Sequence, residues 1–109
     1  MAKHEFALMD QMPQPGVRYD TYETAHLRCV SVEDDLIGER LWEFRILPCF
    51  AHTVDLPWEG LCCCGITLIP PHAAREMRWM VCTDRALDAL TALLDTAEKE
   101  HKWIIHFGL

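Results

Sequence analysis

Nine consecutive residues, Leu61-Cys62-Cys63-Cys64-Gly65-Ile66-Thr67-Leu68-Ile69, carry no charge, and the Pro70-Pro71 pair closes them. Nine residues are short for a helix, Cys, Ile and Thr suit a pleated surface, and Gly65 weakens a helix, so the run reads as a strand. Its two alternating sets are both uncharged, so neither face is built for open water. The expectation is a central strand, with the rest of the chain arranged around it.

Leu27 to Val32 predicts the first core strand. Ser31-Val-Glu-Asp resembles a capping box and opens a helix that puts Leu36, Ile37, Leu41, Phe44 and Leu47 on one side and Trp42 on the other, until Pro48 ends it. Cys49 to Asp55 predicts the next strand, Leu56 to Gly60 a hairpin loop, and Leu61 to Ile69 the returning strand. Pro71 starts a short helix through about Val81. A longer helix capped by Thr83 or Asp84 comes next, its apolar stripe running through Ala86, Leu87, Leu90, Leu93, Leu94, Ala97 and His101. Trp103 to Phe107 is the closing strand. The resulting order predicts an α+β fold, a ferredoxin-like βαββαβ sandwich with the first and third strands central and an extra short helix after the third. Residues 1–26 form an irregular N-terminal arm in which His4 to Met9 is at most a short edge strand, with Tyr19 and Tyr22 folding the arm over a single domain of residues 27–109.

At 109 residues the chain supports one domain with its own core, and no apolar run approaches the ~20 residues of a membrane-spanning helix. The first residues lack a signal-peptide apolar stretch, because Asp10, Pro13 and Pro15 interrupt the chain soon after Phe6. Six cysteines in a chain this rich in apolar runs read as reduced thiols of a cytosolic protein, since adjacent cysteines on a strand point to opposite faces and pair poorly. The net charge of -7, with no basic cluster among aromatics, argues against nucleic acid as a partner.

If Asp55 opposes Leu61, the hairpin pairs Phe50 with Ile66, Ala51 with Gly65, His52 with Cys64 and Val54 with Cys62. One face then holds Phe50, His52, Val54, Cys62, Cys64, Ile66 and Leu68. The other holds the smaller Cys49, Ala51, Thr53, Cys63, Gly65 and Thr67. Leucine stripes on the helices suit the bulky face, which leaves the small-residue face open for a second copy, a partner or a ligand. Cys49, Thr53, Cys63 and Thr67, with His106 on the neighbouring strand, are therefore the candidate binding residues on the sheet. Trp58 at a loop tip and Trp42 on a polar helix face are candidates for a protein interface.

His52, Cys62 and Cys64, with His72 as a fourth group, supply zinc-ligand chemistry without the spacing of a known zinc motif. The plainer reading, small core cysteines and a backbone-bonded His52, is preferred, and no metal or cofactor is assigned. Cys63 as a nucleophile with His106 as its base lacks an electropositive setting. The function expected is a small cytosolic interaction module that self-associates through its sheet. The alternatives are a small dimeric-sandwich enzyme using a histidine between helices and sheet, and an acidic inhibitor that engages a basic partner.

Overall fold

The computed structural model describes residues 3–19, 29–62 and 65–108. Tyr22 and the start of the strand expected at Leu27 lie outside these residues, as do Cys63 and Cys64. In chain order the elements are β1 (Lys3–Leu8), β2 (Cys29–Glu33), α1 (Asp34–Gly38), α2 (Leu41–Phe44), β3 (Pro48–Phe50) and β4 (Pro57–Glu59). They continue with β5 (Ile66–Ile69), α3 (Pro71–Val81), a single 3-10 turn (Arg85–Leu87), α4 (Asp88–Glu100) and β6 (Ile104–Phe107). The strands form one sheet in the order β2-β1-β6-β5-β3-β4, every neighbouring pair antiparallel.

This is an α+β domain, but its strand order is not the ferredoxin-like one expected. The strand at 29–33 stands at an edge, and β1, expected at an edge, pairs with β2 on one side and β6 on the other. The side chains give the reason. In β1 and the residue after it, Phe6 is buried on one face and Ala7 and Met9 on the other, so both sides need cover. In β2 only the inward Val32 is buried, with Val30 half-buried beside it, while Cys29, Ser31 and Glu33 face water, which is the one-sided pattern an edge tolerates.

The helix expected across residues 31–47 is two short ones. Ser31 to Glu33 remain in β2, and α1 ends with Gly38, the weakest helix former other than proline; Glu39 and Arg40 keep right-handed backbone angles in the turn before α2. The apolar stripe nonetheless faces inward: Ile37, Phe44 and Leu47 are fully buried, with Leu36 and Leu41 packed against them. Trp42 is left outside, at 72% exposure. α3 begins with Pro71 in its first turn and buries Ala73, Ala74, Met77 and Val81. α4 buries Leu90, Leu93, Leu94 and Ala97. His101, expected to close that stripe, instead sits exposed at the helix C-cap in the left-handed conformation, φ 54°. Arg78 ties the two helices together through Glu98 at 2.7 Å.

The central hairpin is shorter than expected. β5 starts at Ile66, after Leu61, Cys62 and Gly65 have passed outside regular strand geometry. β3 ends at Phe50, residues 51–56 turn back with Ala51 N–H donating to the Leu56 carbonyl, and the expected loop returns as edge strand β4. Phe50 pairs with Leu68 in place of Ile66, a slip of two residues that leaves each side chain on its expected face.

Which face the helices cover is the reverse of the expectation. Cys49, Thr67 and Ile69, with Phe6, Val32, Ile104 and His106 from other strands, lie beneath the helices. Phe50, Ile66, Leu68, Ile105 and Phe107 lie on the opposite face with Met9, Tyr19, Val54 and Trp103. Met77, Leu90 and Leu94 meet large and small strand side chains together there, Phe6, Ile69 and Ile104 beside Cys49 and Thr67, so side-chain size on β3 and β5 alone does not decide which face is covered.

Candidate functional site

The sheet face under the helices contains a chain of buried polar side chains, which is unusual because a buried polar group is costly unless its hydrogen bonds are made. It begins at Asp34, the first residue of α1, whose side chain is 37% exposed. Its Oδ1 lies 2.8 Å from Nε2 of His4 on β1. Nδ1 of His4 lies 2.8 Å from Nε2 of His106 on β6, and Nδ1 of His106 lies 3.3 Å from Oγ1 of Thr67 on β5. The Cys62 backbone N–H donates to the same Thr67 oxygen at 2.7 Å. His4, His106 and Thr67 have no exposed surface.

Strand pairing places these groups. Phe6 pairs with His106 and His106 with Thr67, so the alternate residues of β1, β6 and β5 form a row on one face, with His4 at its β2 end opposite Val32. The imidazoles lie nearly parallel, 13° apart with centroids at 5.1 Å, and Phe6 packs on the His106 ring at 4.8 Å. Burial and the neighbouring His4 push the His106 pKa down to about 3, so its ring is neutral at pH 7.

With Asp34 ionised and both rings neutral, one proton arrangement satisfies every contact. Asp34 accepts from His4 Nε2–H. His4 Nδ1 then accepts from His106 Nε2–H, and His106 Nδ1 accepts from the Thr67 hydroxyl. All donors point from Cys62 toward Asp34. The arrangement locks both tautomers and joins α1, β1, β6, β5 and the segment before β5 through one network.

The residues singled out from sequence are dispersed. Thr67 and His106 meet in the chain just described, facing the helices. Cys49 shares their face at 2% exposure, with burial pushing its thiol up to about 12, so it is an inert core thiol. Thr53 is buried in the turn after β3, where its hydroxyl accepts from Asp55 N–H. All four side chains are buried. Cys63 lies outside the described residues. Trp42 is exposed, with the Arg45 guanidinium 3.8 Å above its ring, and Trp58 is 47% exposed on edge strand β4. Of the zinc-type set, His52 lies in the turn after β3, Cys62 has its sulfur against Gly65, His72 is exposed on α3, and Cys64 is not among the described residues. Cys49, Cys62 and Cys82 are free thiols, and among the described residues no helix is long and apolar enough to cross a membrane.

His4 and Asp34 were not singled out from sequence. The alternation His4, Phe6, Leu8 does place His4 on an apolar face, the signal that a pattern reading can use. Nothing local marks Asp34 as its partner. The chain matches no protein-family model, no curated protein and no solved structure.

Proposed function

We propose that the protein is an interaction module that self-associates through the helix-free face of its sheet. The observation carrying this reading is the apolar strip on that face: Phe50, Ile66, Trp103, Val54 and Phe107 remain only partly buried around Leu68 and Ile105. On a chain of net charge -7, two copies repel unless the contact itself is uncharged. This strip meets that condition, because the charges on the same face, Lys3, Glu5 and Glu33, stand at the β1–β2 side. A second copy applied across a two-fold axis would set strip on strip, in the way two sheets pack face to face about 10 Å apart.

Sedimentation equilibrium on the full chain tests the reading. A dimer in the micromolar range is expected, with Ile66→Glu giving a monomer of unchanged far-ultraviolet circular dichroism. A wild-type monomer at every concentration sinks the proposal.

A second reading, supported by the exposure of Trp42 and Trp58, is an acidic protein that engages a basic protein partner through these two side chains. Association with such a partner would weaken with added salt and survive Ile66→Glu.

A further inference from the structure

The buried chain has a second arrangement, one proton richer, that keeps all four of its contacts. A proton added to His4 Nδ1 leaves a cationic imidazole that still donates from Nε2 to the Asp34 carboxylate and now donates from Nδ1 to His106 Nε2. His106 must then carry its own proton on Nδ1, where it donates to Thr67 Oγ1. The Thr67 oxygen accepts twice, from His106 and from Cys62 N–H, and its hydroxyl proton turns away. The books balance at one proton gained: His4 acquires an N–H, His106 moves one between its nitrogens, and Thr67 keeps its own.

We propose that Asp34, His4, His106 and Thr67 form a proton-driven polarity switch, in which uptake of one proton at His4 reverses the His4–His106 and His106–Thr67 hydrogen bonds and is sensed by the Cys62 N–H, which donates to the same Thr67 oxygen before β5. The geometry puts the charge at one end and the response at the other. Asp34 is the only carboxylate in the chain of contacts, and its partial exposure gives the site access to solvent. His4 is the ring that touches the Asp34 carboxylate, so the proton that enters rests there. Around the pair, β2 contributes Val32, α3 contributes Ala73, Ala74, Met77 and Val81, and α4 contributes Leu90, Leu93, Leu94 and Ala97 to the buried layer, none of them titratable. β3 contributes Cys49, whose thiol is held neutral, and α1 contributes Asp34. Among the described residues the Asp34 carboxylate is therefore the charge in contact with the protonated ring, and the donor roles of His4 Nδ1, of the two His106 nitrogens and of Thr67 change with the proton.

Full-length protein labelled with nitrogen-15 in its histidines and backbone reports both states by nuclear magnetic resonance. At pH 8 both rings should be neutral with the proton on Nε2. As the pH falls, His4 should become cationic and His106 should move its proton to Nδ1 at one shared midpoint, with the Cys62 amide resonance shifting at that same midpoint. Asp34→Asn should lower the midpoint by roughly one pH unit or more, because the charge partner is lost. The inference is overturned if His106 keeps its Nε2 proton while His4 titrates, if the Cys62 amide does not follow, if Asp34→Asn leaves the midpoint in place, or if the protein unfolds before His4 takes a proton.

Discussion

A histidine with no exposed surface and a pKa near 3 makes stability depend on acid in one direction only. In the unfolded chain His106 takes a proton near its ordinary value of about 6.5, and in the folded protein it does not until about pH 3. The unfolded state therefore binds more protons across that window, and stability present above about pH 6.5 is lost as pH falls toward 3. Between pH 7 and pH 5 this site should cost about 2 kcal/mol, measurable by urea unfolding at the two values. His106→Gln keeps a donor toward His4 and removes the titration, so its pH 7 to pH 5 loss should be smaller by that amount. An equal loss in the variant would assign the acid sensitivity to other groups. The same residue shows how far a sequence carries a polar site. Thr67 stood out as a residue of the sheet face expected to be open, and His106 as a histidine on the neighbouring strand. The bond between His4 and His106 spans 102 positions, and no periodicity or spacing reports a pairing over that distance.

Element boundaries were set by backbone demands as much as by apolar pattern. Gly60, between β4 and Leu61, has φ 79°, and a Cβ there would stand 2.9 Å from the Phe44 carbonyl oxygen. Only glycine meets both conditions without strain, so Gly60→Ala should destabilise the fold by about 1 to 3 kcal/mol, read from the shift in the urea midpoint. A midpoint within error of wild type would show that α2 yields at this contact. The uncharged run at residues 61–69 predicted a strand and an interior one. Ile66–Ile69 is that strand, paired with β3 and β6. Leu61 and Cys62 were not separable from it by composition, because a buried loop segment and a buried strand use the same residues. Most of the helix stripes were legible: Ala73, Ala74, Met77 and Val81 in α3, and Leu90, Leu93, Leu94 and Ala97 in α4, are inward as their spacing required, while Ala86 and His101, expected on the α4 stripe, are exposed.

Across the whole molecule, β1 and β6 lie side by side in the sheet interior, so both ends of the described chain are built into its centre. β1 supplies the buried Phe6 and Ala7 to opposite faces and, among the described residues, is the strand that pairs with β2. A chain lacking residues 1–8 should therefore lose cooperative unfolding and its near-ultraviolet circular dichroism. A truncated protein with native spectra would mean that β2 can dock on β6 directly.

Local residue order determined the class of this protein, the inward faces of its helices, the strandedness of 66–69 and the exposure of Trp42, because each follows from a short-range period or a single side chain's cost of burial. Tertiary structure alone decided the strand order, the face of the sheet that the helices cover and the union of Asp34, His4, His106 and Thr67. Those depend on which of several apolar strands find one another and on how side-chain volumes fit between layers, and both are sums over residues far apart in the chain.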